Sequence, residues 1–207
     1  MQLIYIMDPM CSWCWAFSPA LKSIHNVRPE LPITYVMGGL APDSDEPMPE
    51  EQKHYIASIW QQIAERTQTT FNFDFWTQCI PRRSTWRACR AVISAEQLQP
   101  GISGGMIQGI QEAYYLHAKN PSDRETLITI AADLGLDSNA FASRLDSDAT
   151  QKELLQQMQL GQQLGAQGFP ALRLVHQEKV YRVSDGYTDA ETLNARLEDL
   201  IKQLSNT

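Results

Sequence analysis

Cys11 and Cys14 stand two residues apart, directly behind the short apolar run Gln2 to Met7 (QLIYIM). That run is short and rich in β-branched and aromatic residues, so it reads as a buried strand. Asp8-Pro9 breaks it. From Ser12 a helical pattern carries Phe17, Leu21 and Ile24 on one face to about Val27, with Pro19 expected to kink it one turn in. Two cysteines at a strand-to-helix junction fit three chemistries: a redox pair, half of a metal site, or an apolar patch with incidental thiols.

The rest of the chain narrows the choice. Pro29 and Pro32 close a connection to a second strand, Ile33 to Met37, which ends at Gly38-Gly39. A polar, proline-rich loop follows (residues 41–49), and then helical patterns succeed one another with no strand between them. Pro49-Glu50-Glu51 opens the first, with Ile56, Ile59, Trp60 and Ile63 on one face. Ser84 starts a second, bearing Trp86, Cys89 and Ile93, and Ser103 precedes a third, bearing Ile107, Ile110, Tyr114 and His117. Ser122 with Glu125 reads as a capping box for a helix stopped by Gly135. A short helix around Phe141 and a longer one with Leu154, Leu155, Met158 and Leu164 complete the block.

Strands return at Ala171 to Val175 and Val180 to Val183, read as a hairpin, before a last helix with a capping box at Thr188 and Glu191. The order is therefore βαβ, a helical block, then ββα. With a CxxC directly after the first strand, this is the setting in which the motif is thioredoxin-like.

Cys11 falls at the start of the helix and Cys14 one turn inside it. Free N–H groups and the helix dipole at that end favour an anion, so the Cys11 thiolate is expected to be stabilised. Sulfurs three residues apart on one helical face close a disulfide with little backbone movement. Cys11 then acts as nucleophile and Cys14 as the resolving thiol. Zinc fits poorly: Cys79 and Cys89 lie ten apart, and His25, His54, His117 and His176 show no paired spacing. Gly168-Phe169-Pro170, just before the returning strand, reads as the cis-proline that faces the cysteine pair in thioredoxin folds.

The sequence resembles the DsbA family of thioredoxin-fold proteins, in the subgroup of FrnE-like oxidoreductases and hydroxychromene-carboxylate isomerases. The resemblance rests on Asp8-Pro9 with Cys11-Ser12-Trp13-Cys14-Trp15, Gly38-Gly39-Leu40, Ser84-Thr85 with Ala88 and Arg90, and Gly168-Phe169-Pro170. It implies an α/β thioredoxin core (residues 1–40 and 165–207) with an all-helical insertion (41–164). It also implies that backbone groups at Phe169, beside Pro170, hold an extended substrate peptide as an added strand. The isomerase and glutathione-transferase branches typically carry serine at the Cys11 position, so the retained pair points to thiol–disulfide exchange. Secreted oxidants of the family carry histidine where Trp13 stands, so a less oxidising couple is expected.

The expected function is protein disulfide oxidoreductase or isomerase, acting on protein or peptide thiols and disulfides. No bound cofactor is needed; glutathione or a reductase recycles the pair. Two other functions remain: a glutathione-dependent small-molecule isomerase or transferase, and a non-catalytic adaptor with redox-sensing cysteines. Trp13, with Trp15 and Phe169, forms either an exposed apolar landing surface or a patch packed on the helical block. Asp8 reads chiefly as the end of the strand, Cys79 and Cys89 as structural thiols, His25 as a complement to the helix dipole, and His117 as core. Seventeen basic against twenty-four acidic side chains, net −7, argue against nucleic acid and anionic membrane as main partners. The first residues show no signal-peptide pattern, so the cytoplasm is the expected location.

Overall fold

The computed structural model describes residues 1–205. A four-stranded sheet is built from β1 (Gln2–Met7), β2 (Ile33–Met37), β3 (Ala171–His176) and β4 (Lys179–Asp185), in the order β2-β1-β3-β4. The β1 strand pairs parallel to β2, joined through α1 (Ser12–Val27), and antiparallel to β3, with Ile6 opposite Ala171. A two-residue turn, Gln177-Glu178, links β3 to β4 with both residues at positive φ, the geometry that suits the twist of a tight hairpin.

Period-two alternation in β1 sorts its side chains between two layers. Leu3, Tyr5 and Met7 face α1 and join Phe17, Ala20 and Ile24 in the main core, which also takes Leu193 and Leu197 of α9 (Ala190–Ser205). Ile4 and Ile6 face the other way, into a small cluster with Val36 and Ala171. That second face is covered by α8 (Asp148–Gln163), whose Gly161 approaches Ile6 so closely that an added Cβ would sit 3.1 Å from its methyl group. Pro19 lies within α1 without ending it.

Between β2 and β3 the described chain is helical: α2 (Glu50–Thr67), α3 (Phe75–Gln78), α4 (Trp86–Leu98), α5 (Ser103–Tyr115), α6 (Arg124–Asp133), α7 (Ser138–Leu145) and α8. Its centre is an aromatic cluster around fully buried Trp60, whose ring lies about 5–6 Å from those of Phe71, Phe75, Trp76, Tyr114 and Tyr115. Buried Arg90 ties this block together, donating to Asp43, Gln151 and the Leu145 carbonyl.

Several local expectations need correction. Ser122 does not cap α6; it is buried and donates to the Ser84 carbonyl instead. The last helix is capped by Asp189, not Thr188, since the Asp189 carboxylate accepts from Thr192 N–H. His117 is exposed just beyond the end of α5, because the helix stops at Tyr115 before the stripe reaches it. Leu155 is likewise exposed on α8.

Candidate active site

The break after β1 is held by Asp8, and more than strand termination is involved. Its carboxylate is fully buried and accepts from Met10 N–H (2.8 Å), Leu40 N–H (2.7 Å), the Thr85 hydroxyl (2.6 Å) and the Cys89 thiol (3.4 Å). Its backbone carbonyl accepts from Cys11 N–H at 3.0 Å. One side chain thus fixes the entry to α1, the loop after β2 and the start of α4. Thr85 stands at the N-cap of α4 but makes no cap bond, because its hydroxyl is turned to Asp8. Burial raises the Asp8 pKa although all four donors oppose the rise.

Cys11 is the N-cap of α1, and no acidic residue occupies the first turn. It is buried, 8% exposed, with its thiol directed at the Phe169 carbonyl across 3.9 Å. Cys14 lies beneath it with no exposure. Burial pushes the Cys14 thiol up strongly, and the neighbouring Cys11 sulfur adds to this; the Asp8 N–H and the Tyr5 hydroxyl pull the other way. The Tyr5 hydroxyl is itself buried without a formed hydrogen bond, and its pKa is raised by burial and then by Cys14. The two thiols are therefore unequal. Cys11 borders a cleft, whereas Cys14 is closed off in the core.

Phe169-Pro170 is a cis peptide, and the Pro170 carbonyl accepts from Gly186 N–H, which fastens this loop to the end of β4. The Phe169 ring lies against Gly38, where an added Cβ would fall 2.0 Å from the ring. Gly39 has φ +64°, and an added Cβ there would fall 2.6 Å from the Met158 sulfur and 2.9 Å from the Trp86 indole nitrogen. The missing side chain at Gly38 is thus the space that the Phe169 ring occupies.

A cleft of about 600 Å³ opens beside Cys11, lined by Ser12, Trp13, Phe169, Gly38 and Leu40 from the core. Its opposite wall is α2, with Gln52, Tyr55, Ile56 and Ile59, so the apolar face of that helix is divided between cleft and core. Trp13 is half-buried, packed on Tyr187 with ring centroids 5.7 Å apart, and the Arg66 guanidinium lies over its ring at 5.6 Å. Trp15 is not part of this surface. It stacks on Tyr115 of the helical block and donates to the Thr70 carbonyl.

The structure therefore gathers Cys11, Cys14, Trp13, Phe169 and Pro170 at one place, and separates Cys79 and Cys89 from them and from each other's bonding. Cys79 donates to the Ala118 carbonyl, and Cys89 to Asp8. Burial raises the pKa of both thiols, that of Cys89 further with help from the Asp8 charge. Among the described residues no three His, Cys, Asp or Glu side chains form a metal-ligating group. Asp8 as a hub, Tyr5 under Cys14 and the α2 wall had no signature in residue spacing. Only the alternation of β1, which puts Tyr5 on the helix-facing side, hinted at any of them.

Residues 2–198 match the family model described as DSBA-like thioredoxin domain. The chain belongs to that family. Within it, a protein from Nitrosomonas europaea, provisionally titled a protein disulfide isomerase, is 29% identical with TM-score 0.87, covering 97% of each chain. The cytosolic disulfide reductase DsbM of Pseudomonas aeruginosa is 25% identical with TM-score 0.79, covering 98% of this chain and all of its own, and a second structure of it is with glutathione. Among curated proteins, the ClpXP adapter protein SpxH of Bacillus subtilis is 26% identical over 195 residues, 91% of this chain. This DSBA-like chain spans 64% of the length of that relative and 53% of a second SpxH, from Halalkalibacterium halodurans. Among the described residues no helix is long and apolar enough to cross a membrane.

Proposed function

We propose that this protein is a thiol–disulfide exchange enzyme acting through the Cys11–Cys14 pair in the reducing or isomerising direction. The observation that carries the reading is the placing of the Cys11 sulfur at a helix N-terminus, on the wall of a cleft and facing the Phe169 carbonyl. Cys11 attacks one sulfur of a substrate disulfide, forming a mixed disulfide and releasing one substrate thiolate, which takes up a proton. Cys14 then gives up its proton and attacks the Cys11 sulfur. The second substrate thiol leaves, the Cys11–Cys14 disulfide forms, and two electrons have passed to the substrate. Two glutathione molecules, or the dithiol of a reductase, restore the pair. Trp13 and the Phe169 backbone support an extended peptide in the cleft. The kinship with a reductase described as cytosolic supports a cytoplasmic setting.

Trapping tests this. Cys11→Ser is expected to abolish exchange, and Cys14→Ser to accumulate mixed disulfides visible on non-reducing gels and by mass spectrometry. A Cys14→Ser protein that traps nothing, while Cys11→Ser traps readily, reverses the roles. A second reading, an adaptor whose cysteines only sense redox state, draws on the names of the curated relatives. It predicts partner capture that survives Cys11→Ser, together with no turnover in the wild type.

A further inference from the structure

The walls of the cleft beside Cys11 contain no aspartate, glutamate, lysine or histidine, and one arginine, Arg83. On a chain of net charge −7, a cleft whose only charge is positive is unexpected. Arg83 is exposed and, among the described residues, makes no hydrogen bond or ion pair, although neighbouring arginines are matched: Arg82 pairs with Asp123 and Arg90 with Asp43. The loop that carries it is pinned on both sides. Pro81 accepts from Met48 N–H, Ser84 accepts from Ser44 N–H, and Thr85 is bonded to Asp8. A second cation without a carboxylate partner, Arg66, lies on the face of Trp13.

The geometry points to Arg83 as an anchor for a substrate carboxylate, so that the cleft selects small, carboxylate-bearing thiols and disulfides over neutral or cationic ones. This inference rests on the exchange reading above. Its volume, about 600 Å³, is that of a small-molecule site, with room for a short peptide segment. A guanidinium binds a carboxylate through two parallel N–H bonds, and a loop already fixed in place loses little freedom in doing so. The net negative charge of the chain repels anions at long range, so the local cation sets both orientation and preference. The discrimination weakens with salt, because Arg83 is exposed to solvent.

The test compares two small disulfides, dithiodipropionate (anionic) and bis(hydroxyethyl) disulfide (neutral), as substrates for the wild type, Arg83→Lys, Arg83→Gln and Arg83→Glu. The anionic-to-neutral ratio of kcat/KM is expected to fall about three- to ten-fold in Arg83→Gln. It should fall further in Arg83→Glu and be largely kept in Arg83→Lys. Binding of S-methylglutathione, which has carboxylates but no thiol to exchange, is measured on the same proteins by calorimetry. Loss of that binding in Arg83→Gln supports the anchor even if the wild type exchanges neither disulfide, an outcome that removes only the enzymatic reading. A ratio unchanged in Arg83→Glu, or S-methylglutathione binding indifferent to Arg83 or absent from the wild type, overturns the inference.

Discussion

Replacing Asp8 by alanine removes the acceptor for two backbone N–H groups, that of Met10, which is buried, and that of Leu40, which is part-buried. The Thr85 hydroxyl is less exposed to loss, since it also lies 3.4 Å from the Ala41 carbonyl and accepts from Ala41 N–H. The orphaned Met10 donor costs about 1–3 kcal/mol and the Leu40 donor, which water can reach, costs less, so Asp8→Ala is expected to lose about 2–4 kcal/mol. That is a large part of the total stability of an ordinary domain. Asp8→Asn keeps one oxygen for Leu40, Thr85 and Cys89 and sets its amide against Met10 N–H alone, so it should cost about 1–3 kcal/mol. The sign of the pH dependence follows from burial, which raises the folded pKa of Asp8 above its unfolded value. Such a group contributes most below the unfolded pKa, about 4, and loses that contribution as pH rises through the folded value. The lead of wild type over Asp8→Asn should therefore be largest in acid and shrink as pH climbs. Urea midpoints of the three proteins across that range, with unchanged slopes, decide the matter. If Asp8→Ala lies within 1 kcal/mol of wild type at neutral pH, or the lead grows with pH, the hub argument is wrong.

Further substitutions probe the site from other directions. Trp13→His puts an ionisable imidazole between the cysteines and should make the couple more oxidising by about 30 mV, equivalent to about 1.4 kcal/mol; equilibration against glutathione measures it, and a drop in potential refutes the electrostatic reading. Gly38→Ala drives a methyl group into the Phe169 ring, so a stability loss of about 1–3 kcal/mol and slower exchange are expected from thermal melts and reductase assays. Cys79→Ala with Cys89→Ala should leave turnover intact and lower stability by about 1–2 kcal/mol, mainly through the Cys89 donor to Asp8. Loss of turnover in that folded double variant would assign those thiols a redox role.

The strands, the first and last helices and the cysteine–proline pairing were legible because each follows from local pattern: β-branched runs, helical stripes and a CxxC at a strand end. What escaped was decided by partners distant in sequence. Ser122 has the form of a cap, yet the Ser84 carbonyl takes its hydroxyl. Asp8 looked like punctuation, because its donors Leu40, Thr85 and Cys89 come from segments that only the fold brings together. Ile56 and Ile59 share a stripe with Trp60 and Ile63, and nothing in that stripe says which half meets the cleft. Arg83 is one arginine among many until its neighbours are seen to be paired.

The sheet order also has a consequence for how the chain is made. The β1 strand, with the cysteines behind it, leaves the ribosome well before its antiparallel neighbour β3, which comes from the far side of the helical block. More than 150 residues separate Cys14 from Pro170, and at about 5–20 residues per second their synthesis occupies roughly 8–30 s. Through that interval the helices, whose contacts are local, can assemble. The sheet cannot close, and the nascent Cys11 and Cys14 are without the Phe169–Pro170 loop that covers them in the finished protein. The helical block is thus a delay line as well as a wall, and the thiol pair passes its first seconds as an ordinary dithiol before it becomes a site.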